Sequence, residues 1–443
     1  LEVLEDRCLL SFGPPTAVGA GGPTWGIAAG VLTSSGNTDL VKVNNGDDSV
    51  GVLLGNGDGS FQEQQNYSTG SGTYTTDVAI ADVNNDGIPD IITANAGNDT
   101  VSVLLGNGDG TFGPPTLFDV GVAPYSVAVG DFNEDGNADL AVAGNGGTTV
   151  SVLLGNGDGT FNEPTIYTVP AGAYQLVVGN FTNDGHQDLA VSSYYTGSVS
   201  ILLGNGDGTF GPPTTFAAGP GVFRLATADF NHDGNLDIVT ANFNSNTVSV
   251  LLGNGDGTFG APINLTVAAG NVAYVTVDDF NQDGNPDIVA TSFESDSFQS
   301  NTLSVLLGNG DGTFQAFQSY PAGSNTYYVT TGDFNNDGFP DIAVGNFDTG
   351  QVSVLLNNAD WPGPLVLGDG GAGGTVRQPL SPALGISMES NWLARDATAG
   401  KVVVCQPDSQ LLPTGVGHTE QSDVQLRDAL FAGITDAFPV VPL

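Results

Sequence analysis

From Phe12 to Leu356 the chain alternates short apolar runs with clusters of Gly, Asn and Asp. One unit shows the pattern: "PPTLFDVG" (Pro114–Gly121), "YSVAVGDF" (Tyr125–Phe132), "DLAVA" (Asp139–Ala143) and "TVSVLLG" (Thr149–Gly155). Runs of this length, rich in Val, Leu and Phe and bounded by turn formers, predict β-strands. No stretch between the turn signals has room for a helix of about 10 residues. The unit repeats. The phrase LLGNGDG starts at Leu53, Leu104, Leu153, Leu202, Leu251 and Leu306, and a decayed LLNNAD starts at Leu355, with spacings of 51, 49, 49, 49, 55 and 49 residues. The long spacing reflects an insertion over Ser292–Asn301, read as an extended loop. Four short strands in a repeat of about 40 to 50 residues predict a β-propeller blade, and seven copies predict seven blades. A length of 443 residues exceeds the roughly 250 to 300 at which one core stops growing. Blades that pack only on their neighbours remove that limit.

The ends of the array predict a closed ring. The seventh copy stops after "VSVLLNNAD" and has no last strand of its own, whereas "FGPPTAVG" (Phe12–Gly19) stands ahead of the first inner strand "WGIAAG". The expectation is an all-β, seven-bladed propeller over 12–358 in which this N-terminal strand is the outer strand of the last blade. A linear solenoid would leave it unpartnered.

Composition sharpens the picture. The chain carries 48 Asp and Glu against 7 Lys and Arg, a formal charge of −41, yet only 12% of its residues are charged and 40% are hydrophobic. That apolar fraction supports folding rather than disorder. The shortage of cations argues against a nucleic-acid partner, and no apolar run reaches the roughly 18 to 20 residues of a membrane-spanning helix.

The acids are clustered. Between the first and second strands of six copies lies a nine-residue motif, as in "DFNEDGNAD" at Asp131. Oxygen-bearing side chains recur at places one, three, five and nine, with Gly at six. That is the ligand logic of a calcium loop, with hard oxygens around one cation and a Gly where the chain turns sharply. The seventh place would contribute its carbonyl. The expected Ca²⁺ ligands are Asp82, Asn84, Asp86, Ile88 and Asp90; Asp131, Asn133, Asp135, Asn137 and Asp139; Asp229, Asn231, Asp233, Asn235 and Asp237; Asp279, Asn281, Asp283, Asn285 and Asp287; and Asp333, Asn335, Asp337, Phe339 and Asp341. A weakened loop offers Asn180, Thr182, Asp184, His186 and Asp188. The first copy, "VLTSSGNTD" (Val31–Asp39), has Val, Thr and Ser where ligands should stand and is expected to hold no metal. Asp-Gly and Asn-Gly also build plain turns through local side-chain bonds. Six loops in register, with up to three Asp each, favour the ion, because crowded carboxylates repel. The GNGDG phrase reads instead as a hairpin between third and fourth strands, with Gly at positive φ and Asp109 and its equivalents as turn formers.

These phrases, "DFNxDGxxDLAV" and "VSVLLGNGDGTF", resemble the FG-GAP/VCBS repeats of integrin α-subunit propellers and of many bacterial extracellular proteins. The resemblance covers about 345 of the 443 residues. It implies seven blades, with calcium loops on one face and the connectors between blades on the other. Six residues before the loops, at the entry to the innermost strand, stand Trp25, Tyr125, Tyr174, Phe223 and Tyr327, with Tyr74 and Tyr274 close to the matching places. They would crowd the axis, either as a rim that receives a ligand or as packing that plugs it. In the resembling integrin propellers such a rim takes a basic side chain from a partner, and a sugar could stack there as well.

The termini depart from the repeat. "LEVLEDRCLLS" (1–11) resembles the LEPR-XLL-type segment of exported proteins from planctomycete-type bacteria, and the lack of Met and of an apolar signal core suggests an upstream targeting segment removed or omitted. After the ring, 359–375 reads as a Gly/Pro linker and 376–443 as a small extension of mixed structure, with a strand at Lys401–Gln406 and a helix at Ser422–Phe438. Residues 359–443 hold four of the seven cations, Arg377, Arg395, Lys401 and Arg427. Cys8 and Cys405 flank the ring and leave open an intrachain disulfide or a link between two chains. No HExxH, G-x-S-x-G, P-loop or Cys/His pairing at catalytic spacing occurs. The leading expectation is a non-enzymatic, exported, calcium-binding propeller that binds a protein or glycan at the cell surface. A subunit that self-assembles into a fibre or layer through its C-terminal extension is the second, and a carbohydrate-active enzyme with its site in the channel is the third.

Overall fold

The structure is a computed structural model. It describes residues 11–121, 123–144, 146–268, 270–293 and 302–361, and the strands Val376–Pro379, Trp392–Asp396 and Lys401–Cys405. The chain divides into two compact units, one of which is Ser11–Ala359. That unit holds seven four-stranded antiparallel sheets, the seven blades that the repeat predicts. No helix occurs among the described residues, and none long and apolar enough to cross a membrane.

Blade 3 shows how the sequence makes the sheet. Its strands run Pro124–Gly130, Asp139–Gly144, Gly147–Leu153 and Thr165–Ala173, paired in that order with Val127 opposite Val142, Leu140 opposite Leu153 and Val150 opposite Tyr167. The Pro-Pro ahead of a fourth strand lies outside it, since Pro gives no ladder N–H. In blade 2 that strand starts at Thr116. The second strands are buried along their whole length, as in Asp139–Gly144, whereas the fourth strands are mostly exposed. Middle strands have a blade on each face, so they are apolar nearly throughout.

The core lies between blades. Val83, Ile92, Val101 and Val103 of blade 2 pack on Val127, Leu140, Val142 and Leu153 of blade 3, and the other seams repeat this arrangement. The hairpins also reach backward. In five of them the N–H of the third Gly donates to a carbonyl in the loop of the preceding blade, as in Gly159 to Val83 and Gly208 to Phe132, at 3.0 and 2.9 Å. Blade 7 has Asn357 where the phrase decays, and its side-chain amide donates to Phe280 O at 2.8 Å.

The ring closes as expected. Thr16–Val18 pairs with Val352–Leu355 of blade 7, Thr16 opposite Val354 and Val18 opposite Val352. Phe12, fully buried, packs edge-on against Phe280 and Tyr320 at 5.6 and 5.2 Å. Across the seam between blades 7 and 1 the buried Lys42 ammonium donates to Gly350 O at 2.7 Å. Lys42 stands where the other second strands carry Thr, Val or Ala.

In the C-terminal region the three described strands form an antiparallel sheet, with Trp392 opposite Cys405. The strand expected at 401–406 is present as Lys401–Cys405. The segment 1–10, the insertion over 294–301, the linker over 362–375, the helix expected at 422–438 and Cys8 lie outside the described residues.

Two outcomes test the closure. Phe12→Ala should lower stability in denaturant unfolding by about 3 to 5 kcal/mol, and a loss below about 1 kcal/mol would show that the ring closes without this anchor. Burial pushes the Lys42 ammonium down to about 8. Its folded value lies below its unfolded value, so the charge costs stability below pH 8, and that cost fades as pH rises toward 10.5. Lys42→Met should therefore stabilise the chain at pH 7 by up to about 3 kcal/mol, with the gain shrinking in parallel measurements above pH 8.

Candidate functional site

The carboxylate loops are built by side chains that fold back on their own backbone. In blade 3, Asp131 Oδ1 and Oδ2 accept the N–H groups of Asp135 and Gly136 at 3.1 and 2.9 Å. Asn133 Oδ1 accepts Asp135 N–H at 3.2 Å, and Asp135 Oδ1 accepts Asn137 N–H at 2.8 Å. Gly136 sits at φ 84°, a left-handed turn that a side chain disfavours. The loops that begin at Asp82, Asp229, Asp279 and Asp333 repeat the first-residue bonds. In the weakened loop Asn180 accepts the Thr182 hydroxyl at 3.4 Å instead, so its wrap is looser.

The ninth residue has a structural task as well. Asp139 Oδ2 accepts Phe132 N–H at 2.8 Å, and Oδ1 accepts Gly155 N–H of the hairpin at 2.7 Å. The carboxylate thereby ties the loop to the hairpin inside one blade. The same two bonds recur at Asp39, in the copy without ligands, from Leu32 at 2.9 Å and Gly55 at 2.8 Å. Asp90, Asp188, Asp237, Asp287 and Asp341 are held in the same way. A closing Asp is thus required by the blade itself, whatever the loop binds.

Electrostatics separate the copies. Burial raises the Asp139 carboxyl, its two amide bonds lower it, and the nearby Asp135 and Asp131 charges raise it further. The equivalents in blades 5, 6 and 7 are pushed up to about 6 at Asp237 and about 7 at Asp287 and Asp341. Asp39 is raised by burial alone, without a carboxylate neighbour among the causes. In five loops the carboxylates at places one, five and nine therefore feel one another. Among the described residues no three His, Cys, Asp or Glu side chains are arranged to hold a metal ion together; each loop's oxygens point to backbone amides. The donor set suits a hard cation all the same, with carboxylates at one, five and nine, an amide oxygen at three and the seventh carbonyl. The hairpin aspartates are turn formers, as expected: Asp109 Oδ1 accepts Thr111 N–H and Oγ1 at 3.0 and 2.6 Å.

The other end of the axis is aromatic. In six blades the register of the first strand slips by a residue near its start, and the extra residue of such a bulge is re-aimed. Trp25, Tyr125, Phe223 and Tyr327 occupy these bulges, and Tyr174 stands two residues before its strand. Their rings touch: Tyr125 to Tyr174 at 5.2 Å, Tyr174 to Phe223 at 4.9 Å and Trp25 to Tyr327 at 6.3 Å. Blades 2 and 6 place Thr76 and Ala273 in the bulge. Tyr74 sits above the strand, and Tyr274 falls one place later and faces the channel interior. Between second and third strands, Tyr194, Tyr195, Phe243 and Phe347 extend the aromatic surface. The sequence signal for these was an aromatic just after the second strand, in "SSYY", "ANF" and "GNF". Tyr125 and Phe223 are buried, whereas Tyr74 and Tyr195 are 46% and 65% exposed.

Beneath the rim the axis is filled by the chain's own cation. Arg224 of blade 5 is fully buried, its guanidinium 4.8 to 5.2 Å from the ring centres of Tyr328, Phe223, Tyr125 and Tyr274. Nη2 donates to Tyr328 Oη at 2.6 Å. Asp77 of blade 2, partly buried, feels this cation: burial raises its carboxyl and Arg224 lowers it. The aromatics thus serve as packing and as surface together.

The model of the FG-GAP-like repeat matches the chain at residues 32–93, 82–142, 131–191, 180–240, 229–290 and 279–344. These matches run unbroken from 32 to 344, and the chain belongs to this repeat family. No protein of curated description matches it. Its fold is similar to that of an Agrocybe aegerita lectin that recognises non-reducing terminal N-acetylglucosamine (21% identity, 77% of this chain and 97% of the lectin, TM-score 0.50). It is also similar to a streptogramin B lyase (14% identity, 78% and 96%, TM-score 0.54). A catalytically inactive virginiamycin B lyase from Staphylococcus aureus is a third similar structure (12% identity, 78% and 99%, TM-score 0.51). At these identities the likeness is one of fold.

The two tasks of the loop carboxylates separate by mutation. Asp39→Ala, measured in chelator, should cost about 3 kcal/mol or more, because it strands two buried N–H groups that bond a carboxylate. Asp109→Ala on the exposed hairpin should cost about 1 kcal/mol or less. Equal losses would refute the tie.

Proposed function

We propose that the chain is a non-catalytic binding module, exported and calcium-stabilised, that engages its partner through the aromatic end of the ring. The observation that carries the binding surface is the continuous aromatic cluster, with Tyr74 and Tyr195 standing exposed at its edge. Exposed aromatic area of this kind marks interaction sites. Arg224 is already buried among the inner rings, which supports recognition by the outer ones. Flat rings beside Asn and Asp side chains suit a glycan or a protein at the cell surface. A lectin of the same fold gives a precedent for the glycan.

The calcium reading rests on the donor set of the loops and on the charge of the ring. Lys42 and Arg224 are the sole cations over 11–361, and both are fully buried. The surface of the ring therefore has no Lys or Arg of its own to offset its carboxylates. Bound Ca²⁺ would supply that charge, held by the first, third, fifth and ninth side chains and the seventh carbonyl of each loop. Extracellular calcium modules bind at about 10⁻⁴ to 10⁻³ M, and a calcium-stabilised ring of this kind is consistent with export.

Chelation should lower the melting temperature by several degrees or more, and readdition of calcium should restore it. A melting curve indifferent to chelator would sink the calcium assignment. For the binding surface, a glycan array and a cell-surface protein screen should each be run with the wild type and with Tyr74→Ala/Tyr195→Ala. Truncating exposed side chains is expected to leave stability within about 0.5 kcal/mol and to weaken capture at least tenfold; capture that survives would move the site elsewhere on the ring.

A further inference from the structure

The loops touch one another side to side. In each metal-type loop the fourth residue is left-handed, with φ of 58° at Asn85, Glu134 and Asn183, 56° at His232, 54° at Gln282 and 57° at Asn336. This backbone turns the side chain out of its own loop and toward the next blade. There it meets the loop that follows, in most seams at its seventh residue. Asn85 Nδ2 donates to Asn137 Oδ1 at 2.7 Å, and Asn183 Nδ2 donates to Asn235 Oδ1 at 2.7 Å. Glu134 Oε1 lies 2.5 Å from His186 Nδ1, and His232 Nε2 lies 2.9 Å from Asn285 Oδ1. Gln282 Nε2 reaches the adjacent Gly338 O at 2.5 Å, and Asn336 Nδ2 reaches Asn37 Oδ1 of blade 1 at 3.0 Å. The remaining seam sets Ser34 of blade 1 against Ile88 of blade 2, a side chain with no polar atom to bond.

Four residue types, Asn, Glu, His and Gln, make one contact. A turn-forming role would need only a residue tolerant of positive φ, for which Gly or Asn serves best. Glu, His and Gln at that backbone are costlier choices, and each of them carries a link. The seventh residue is also the one whose carbonyl faces the ion in the calcium reading.

We propose that the fourth residues are positioning residues that couple the calcium loops around the ring, so that filling one loop raises the affinity of the next. The proposal rests on the calcium reading above. An ion that draws in the ligands on either side of the fourth residue fixes that residue. Its side chain then holds the seventh residue of the following loop, and less ordering is left for the second ion to bring about. The coupling starts at blade 2, where no link arrives, and ends at blade 1, where no ion is expected.

The test is a calorimetric CaCl₂ titration of the full, chelator-stripped chain, with equilibrium dialysis to count bound ions. Asn85→Gly/Asn183→Gly keeps the left-handed turn and removes two links. It should bind as many ions as the wild type, with a Hill coefficient lowered toward 1 and the weaker ions losing affinity by about fivefold or more. Asn336→Gly removes the link into blade 1 and should titrate like the wild type. Asn85→His, with the residue that serves at blade 5, should restore the steepness at its seam and guards against a variant that merely folds poorly. Unchanged steepness in the double variant, or an equal loss in Asn336→Gly, overturns the coupling while leaving the calcium reading intact. No bound calcium in the wild type overturns both.

Discussion

The structure depends on closing a ring from seven units, none of which can bury its own surface. Each blade offers an apolar face to either neighbour, so an open array would leave two such faces in water. The chain solves this by withholding one strand from its last repeat and supplying it from the front, Thr16–Val18 against Val352–Leu355. The closure is reinforced at three places. Phe12 anchors the N-terminal strand against Phe280 and Tyr320 of blade 6, while Lys42 bonds Gly350 and Asn336 reaches Asn37 between blades 7 and 1. Lys42 is the weak point, a buried charge whose hydrogen bonds go to neutral oxygens and whose desolvation outweighs the pull of Asp47, in a place that other blades give to uncharged side chains.

Closure also creates the axis, and the axis is where the blades cease to be equivalent. Seven strand entries converge there, and seven identical aromatics would not fit. The chain alternates them with Thr76 and Ala273 and threads Arg224 beneath, where one side chain from blade 5 meets rings from blades 3, 6 and 7 and acts electrostatically on Asp77 of blade 2. It leaves the outer rings, carried by the turns after the second strands, as the part of the aromatic end that solvent and partners can reach.

The opposite face follows a different logic. Its aspartates carry structural and electrostatic loads at once. The closing Asp binds the loop to the hairpin in every blade, including blade 1, where ligand residues are missing. The first and fifth Asp wrap the loop and bring charges close to that buried carboxylate. A surface without exposed Lys or Arg has no internal remedy for that crowding, which is why a bound cation is the economical reading of the loops.

The sequence by itself determined the blade count, the strand order, the closure and the positions of the loops, because these follow from a period of about 49 residues and from turn chemistry that acts over a few residues. It also separated the hairpin aspartates from the loop aspartates by spacing. Tertiary structure alone decided what each repeated residue does across a seam. The GNGDG hairpin looked like a local turn, yet its third Gly bonds the preceding blade, and Asn357 takes over that task where the phrase decays. His186 was expected only as the seventh residue of its own loop, yet it and His232 both bridge adjacent loops. Tyr274, one place out of line, turns into the channel and not onto the rim, and Arg224 gave no sign of its role. Contacts between blades join residues some 50 apart at angles set by the packing of neighbouring sheets, and no pattern along one repeat encodes that geometry.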